Sequence, residues 1–265
     1  MASTVARSEW WEYWFIAIGD TLRDPRHLAG DGKALMTFDR VISEPPFNVR
    51  DWGFEEWSRG DVYGRIDYGV PPRLFADFAF LEHFISSLNG KGMLGAILPT
   101  AVLFRGRSEA QIRKRIIQAD LIEAVIGLGP NLLYGSPAPA CLVILNKAKS
   151  RERREKTLFV DASEECLKGT TRNTLSDENV QRIAAAFHAF RNEDRFARVV
   201  SQGEIEANDY SLSIPRYVQT SQEESAIDVA AEWRSLLKLI SERNAAEDKL
   251  SEHIRRLCII PDDDS

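Results

Sequence analysis

The run Phe38-Asp39-Arg40-Val41-Ile42-Ser43-Glu44-Pro45-Pro46-Phe47 decides how this chain is read. Its first six residues read as a strand, and the two prolines end that strand stiffly. Both φ angles are fixed, neither proline offers an N–H, and the preceding carbonyls point outward. In an open parallel sheet, ligands sit at the carboxyl ends of strands. A rigid loop of carbonyl acceptors followed by an aromatic ring suits an exocyclic amine on a planar base, with acceptors for the N–H groups and a face for stacking. Taken as residues alone, the same run is equally well a turn followed by a core aromatic.

Outward from this run, short apolar stretches alternate with helical patterns. Residues 93–98 (MLGAIL), 121–128 (LIEAVIGL) and 140–146 (ACLVILN) read as further strands, their branched-aliphatic content suited to burial on both faces. Between the first two strands, Leu74, Phe78, Leu81, Ile85 and Leu88 fall at steps of three and four before Asn89-Gly90. That spacing predicts an amphipathic helix with a glycine stop. Ser108 and Gln111 form an S-x-x-Q capping box ahead of Ile112, Ile116 and Ile117. The alternation predicts an open, mostly parallel sheet. Residues 128–140, rich in Gly and Pro, are short enough for a hairpin turn, which would reverse the strand after them.

Beyond a charged break at 147–156, residues 157–160 read as one more strand and 177–191 as a helix built on Val180, Ile183, Ala184, Phe187 and Phe190. The tail differs. From 226 to 257, steps of four and three select Val229, Trp233, Leu236, Ile240, Arg243, Glu247, Leu250, Ile254 and Leu257. Most of these are apolar and no Gly or Pro interrupts them, which predicts a long helix with a heptad seam.

Lys+Arg number 34 against 40 Asp+Glu, a net charge of −6. That excludes a strongly basic nucleic-acid binder but not a DNA enzyme with a local positive face. Cys141, Cys166 and Cys258 form no CxxC pair and fit a reducing cytoplasm. No apolar run approaches the ~20 residues of a membrane span. Arg105, Arg107, Arg113, Lys114 and Arg115 could meet phosphates or form a solvated helix face, and 147–156 reads as a solvated loop. His83 and His188 read as surface or boundary residues, and Cys141 as core. No Gly-x-Ser-x-Gly elbow or Walker lysine loop is present.

The Pro-Pro-Phe run resembles the Asn/Asp-Pro-Pro-Tyr/Phe motif of amino-group DNA methyltransferases. Its surroundings resemble, more specifically, the modification (M) subunit of type I restriction-modification systems. The likeness runs in order through Gly19-Asp20-Thr21-Leu22-Arg23-Asp24-Pro25, Phe38 to Ser43, Ala79-Phe80-Leu81, Ile97-Leu98-Pro99 and Val102-Leu103-Phe104-Arg105-Gly106. It continues through Ile112-Arg113-Lys114, Glu123 to Leu128, Asn131-Leu132-Leu133-Tyr134-Gly135, Cys141 to Lys147 and Asn208 to Val218. The resemblance implies an α/β fold, a partial Rossmann-like sheet of the S-adenosyl-L-methionine-dependent methyltransferase type with its first strands missing, and a long carboxyl-terminal helix. It implies methylation of adenine N6 in DNA, the base being flipped out of the duplex. By position, Glu44 and Pro45 would accept from the amino group, Pro46 would stiffen the corner and Phe47 would stack. Asp20, Thr21 and Leu22 would lie beside the cofactor adenine; Asp20 alone also reads as an N-cap or Asx turn.

Two departures from the family pattern set further expectations. Glu44 stands where the family has Asn or Asp, and its extra methylene displaces the acceptor, so little or no methyl transfer is expected. The eighteen residues before Gly19 contain no glycine, so the glycine-rich cofactor loop is absent. Trp10, Trp11 and Trp14 match nothing expected there, and the sequence reads as the carboxyl-terminal half of such a subunit, or as one that another polypeptide completes. The organisation expected is a non-matching segment 1–15, a truncated catalytic domain 16–150, an extension 151–220 and a heptad helix with frayed tail 221–265. The partners implied are DNA, a specificity (S) subunit and a restriction (R) subunit, with no membrane. The alternative is a non-catalytic protein that docks to the specificity subunit through its terminal helix.

Overall fold

The computed structural model describes residues 5–6, 15–134, 136–219 and 229–256. The chain divides into two compact units, Met1–Thr220 and Ser221–Ser265. The first begins with a short antiparallel pair, β1 (Val5–Ala6) and β2 (Phe15–Ile16). There follow β3 (Phe38–Ser43), α1 (Phe54–Ser58), α2 (Asp77–Ser86), β4 (Leu88–Pro99), a 3-10 turn (Thr100–Leu103) and α3 (Ser108–Gln118). Next come β5 (Ile122–Leu128), β6 (Ala140–Asn146), β7 (Lys156–Ala162), α4 (Asp177–Ala189), β8 (Ala197–Ser201), α5 (Gln202–Ala207) and a 3-10 turn (Ile214–Arg216). The second unit contains α6 (Val229–Arg256).

Six strands form one mixed sheet in the order β3-β4-β6-β5-β7-β8. β3 pairs with β4, and β5 with β7, in parallel. β6 lies antiparallel between β4 and β5, as the hairpin reading expects, and β8 adds an antiparallel edge. All seven residues of β5 are buried, which accounts for its unbroken apolar sequence. One face of the sheet packs on α2 and α3 through Leu94, Leu98, Ile112, Ile116 and Val143. The other packs on α4 through Ile126, Leu158, Val160, Ile183 and Phe196. Cys141 is fully buried, and burial pushes its thiol up to about 12, so it is a core residue.

Several local expectations are corrected. α2 is not amphipathic: Asp77 through Ile85 are all buried. It ends at Ser86 because Leu88 already pairs with Phe38, so Asn89-Gly90 lies inside β4 rather than stopping the helix. A Cβ on Gly92 would lie 2.9 Å from the Phe38 carbonyl oxygen, so this strand position requires glycine. Ser108 does not cap α3. The helix starts at Ser108 itself, behind Arg107 with φ 59°, and no side chain caps it. A reciprocal box forms instead at α4, between Ser176 and Asn179. His83 is buried, not a boundary residue, whereas His188 is exposed.

The basic clusters are also structural. Arg113, 4% exposed, donates to the carbonyls of Tyr210 (2.8 Å), Val102 (3.1 Å) and Arg105 (2.9 Å). The 147–156 segment is not simply solvated: Lys149 is buried against Asp120 at 2.6 Å and Arg153 reaches Glu123 at 3.0 Å. On α6, Trp233, Leu236, Ile240 and Leu250 are exposed. Trp10, Trp11, Trp14, Gly135, Ala226, Leu257 and Cys258 lie outside the described residues. Among the described residues, no helix is long and apolar enough to cross a membrane.

Arg113→Leu keeps apolar volume but leaves three carbonyls without their donor. Urea unfolding is expected to show a loss of about 3 kcal/mol; a loss below about 1 kcal/mol would show that water replaces the guanidinium.

Candidate functional site

β3, β4, β5 and β7 all end on the same edge of the sheet, and the chain's unusual residues gather there. Directly after Ser43, Glu44 is exposed, Pro45 buried, Pro46 exposed and Phe47 half-buried. The Glu44 carboxylate has no hydrogen-bond or ion-pair partner among the described residues. Asn48, at φ 54°, turns the chain through the left-handed region that asparagine tolerates. Its N–H donates to Asp77 Oδ1 at 3.1 Å. Arg105 locks the same turn: one guanidinium nitrogen donates to Asp77 Oδ2 at 2.7 Å and the other to Asn48 Oδ1 at 2.8 Å. Glu109 joins at 3.3 Å, its carboxyl raised by burial against the pull of Arg105. The diproline corner is therefore bolted to α2 and to the segment between β4 and α3.

A cavity of about 420 Å³ opens beside the corner, lined by residues 44–48 and, across it, by Leu133, Tyr134 and Ser136 from the loop between β5 and β6. Phe47 lines this cavity rather than the interior. A second cavity, of about 490 Å³, lies between the corner and the 18–22 segment, with Val49, Trp52 and Phe80 among its walls. Pro46 lines both cavities.

The 19–22 segment is held from beneath by a buried arginine. Arg65 and Asp61 form an ion pair at 2.6 Å, each 3% exposed, with the guanidinium 4.2 Å from the Trp57 ring centre. Arg65 also donates to the Thr21 carbonyl at 3.2 Å, and Trp57 Nε1 to the Leu22 carbonyl at 3.2 Å. Burial raises the Asp61 carboxyl, but the bonds from Arg65 outweigh it and leave it below its usual value. Asp20 closes an Asx-type turn, Oδ1 accepting from Leu22 N–H (3.0 Å) and Arg23 N–H (3.1 Å). Among the described residues, its Oδ2 has only the distant Arg23 guanidinium, at 3.7 Å.

The lining of the second cavity bears on a nucleoside cofactor. Its walls are mainly apolar side chains, suited to a planar ring, and Asp20 offers a carboxylate to an exocyclic amine. Among the described residues that line it there is no lysine or arginine. These residues fit the adenosine end of S-adenosyl-L-methionine.

Glu44 to Phe47 and Asp20 to Leu22 are contiguous in sequence, and the fold brings the two groups to adjoining cavities. Asp61, Arg65, Trp52, Asp77 and Tyr134 carry as much of the geometry, yet no sequence reading gave them a role. Only Tyr134 had a signal, its place in the Asn131 to Gly135 match. Arg105 has a signal both in the Val102 to Gly106 match and in a basic cluster, of which the structure turns Arg105, Arg113 and Arg115 to carboxylates and carbonyls.

The sequence matches the N-6 DNA methylase family over residues 11–226. It is 36% identical over 237 residues to the methylase subunit of the type I restriction enzyme MjaVIII of Methanocaldococcus jannaschii, covering 86% of this chain and 40% of that protein. It is 30% identical to the HindI methylase subunit of Haemophilus influenzae, covering 89% of this chain and 53% of that protein. Among solved structures, the methyltransferase subunit of a type I restriction-modification system from Streptococcus thermophilus superposes with a TM-score of 0.68 at 32% identity, over 76% of this chain and 41% of that one. The chain thus spans about half, or less, of the length of these relatives.

Next to the Arg65 pair, Glu82 is 1% exposed and burial pushes its carboxyl from 4.5 up to about 9, while burial and Arg65 push His83 down to about 3. Folded Glu82 stays protonated where the unfolded chain has ionised, so its contribution to stability falls as pH rises from 4.5 towards 9. Glu82→Gln is expected to remove that falling arm and to stabilise on the order of 2 kcal/mol at pH 8. Denaturation curves of both proteins across this range check it; parallel pH profiles would mean Glu82 ionises in the folded state.

Proposed function

The chain belongs to the N-6 DNA methylase family, and we propose that its carboxyl-edge corner is the base-receiving part of an adenine-N6 DNA methyltransferase of the type I modification-subunit kind. The observation that carries this reading is the position of Pro46 as a wall of both cavities. A base against Phe47 and a nucleoside cofactor against Trp52 would stand on opposite sides of one proline.

S-adenosyl-L-methionine, when bound, supplies a sulfonium-activated methyl group. The chain's own task is to hold the amine that receives it. In this reading the Pro45 carbonyl and a Glu44 oxygen accept the two N–H groups of the adenine N6, leaving its lone pair free to attack. Phe47 stacks on the ring, and the rigid Pro45-Pro46 pair keeps the acceptors in place without reorganisation. On the cofactor side, Asp20 accepts from the exocyclic amine through Oδ2, while Thr21 and Leu22 form the rim.

Glu44 weakens this arrangement. Its carboxylate is solvated in the open cavity, and seating a base beside it strips water from a charge that has no partner. The added methylene also moves the acceptor by about 1 Å, a displacement that costs about 100-fold in rate. In an enzyme complete in its cofactor-binding part, Glu44→Asn is expected to raise labelled-methyl incorporation into DNA adenine about 100-fold. An unchanged rate would remove residue 44 from the acceptor role.

A second reading, docking without transfer, is favoured by the exposed apolar residues of α6. In this division, residues 16–150 carry the site, 151–220 extend it and 221–265 dock. The partner would be the helices of a specificity subunit, with a restriction subunit joining the full system. Leu236→Asp with Leu250→Asp is expected to abolish co-elution with a specificity subunit while helical circular dichroism is retained. Undiminished co-elution would take this helix out of the interface.

A further inference from the structure

Tyr134, in the loop between β5 and β6, lines the base cavity and is 86% exposed. A ring so exposed is not oriented by packing. Its orienting contact is the Arg172 guanidinium, 3.6 Å from the ring centroid and well inside the ~6 Å reach of a cation–π interaction. Arg172 is not among the described residues that line the cavity, and its guanidinium lies over one face of the ring.

The loop that carries Arg172, residues 163–175, braces the cavity wall. Asn173 donates through its backbone N–H to the Asn131 carbonyl (2.9 Å) and through Nδ2 to the Pro130 carbonyl (2.9 Å). Its Oδ1 accepts from Gly169 N–H at 3.3 Å, tying the loop to itself. A Cβ on Gly129 would stand 2.6 Å from the Ser163 carbonyl oxygen, so the two loops meet backbone to backbone.

We propose that Arg172 is a positioning residue for the base cavity: it sets the face that Tyr134 turns to a nucleobase, and the 163–175 loop fixes the wall on which that ring stands. This rests on the base-receiving reading of the cavity. The ligand is an unpaired purine of single-stranded or locally opened DNA, held between Phe47 and Tyr134.

The test uses the full chain and a short single-stranded oligonucleotide carrying one 2-aminopurine and an end label. The emission of 2-aminopurine falls when it stacks on an aromatic ring, while anisotropy of the label reports binding alone. Arg172→Met is expected to lower quenching at saturation about two- to five-fold, with little change in the anisotropy Kd and partial recovery in Arg172→Lys. In a Tyr134→Ala background the same change should add nothing. A weakened Kd with full quenching would make Arg172 a phosphate contact and overturn the proposal, as would additive effects of the two substitutions. If Phe47→Ala loses the quench and Arg172→Met does not, only this proposal fails. If the unaltered chain gives no quench, or Phe47→Ala keeps it, the base-cavity reading fails and takes the proposal with it.

Discussion

A carboxylate almost sealed from water, that of Asp77, holds the corner at the carboxyl edge of the sheet together. It receives the Asn48 N–H on one oxygen and Arg105 on the other, at 1% exposure. A buried ion pair of this kind contributes little net stability, because desolvation consumes most of the attraction. Its value lies in geometry: each oxygen is committed, so the loop after the prolines has one way to leave the sheet. The diproline fixes where the corner starts, and Asp77 fixes where it goes. Arg65 does the equivalent for residues 19–22, spending its donors on Asp61 and on the Thr21 carbonyl.

These two anchors account for the cavities on either side of the corner. Each anchor stiffens backbone rather than filling space, and the gaps beside them are lined by rings and prolines that cannot collapse inward. The loop between β5 and β6 closes one gap and is itself braced by Asn173. Rigid supports around an open space are the arrangement a pre-organised site requires.

What could be read ahead of the structure was what is local. β3 and β6 keep the limits 38–43 and 140–146, because apolar runs closed by Pro or Gly-rich segments leave little choice. The reversal of β6 followed from the brevity of the 128–140 turn. β8 escaped notice because five residues between two charged stretches carry too little pattern. The Ser108 box failed for a reason no periodicity shows, the left-handed φ of Arg107. Of the residues lining the two cavities, Glu44 to Phe47 and Asp20 to Leu22 were legible because each set is contiguous. Arg65 with Thr21, and Asp77 with Arg105, are joined across 44 and 28 residues, and only the fold brings them together.

Pro46 stands between two chambers, and a pyrrolidine ring does not bend. A partition of fixed shape keeps each chamber's dimensions independent of its neighbour's: Pro46 holds the separation through its locked φ, and a more pliant residue there would let one chamber widen at the other's expense.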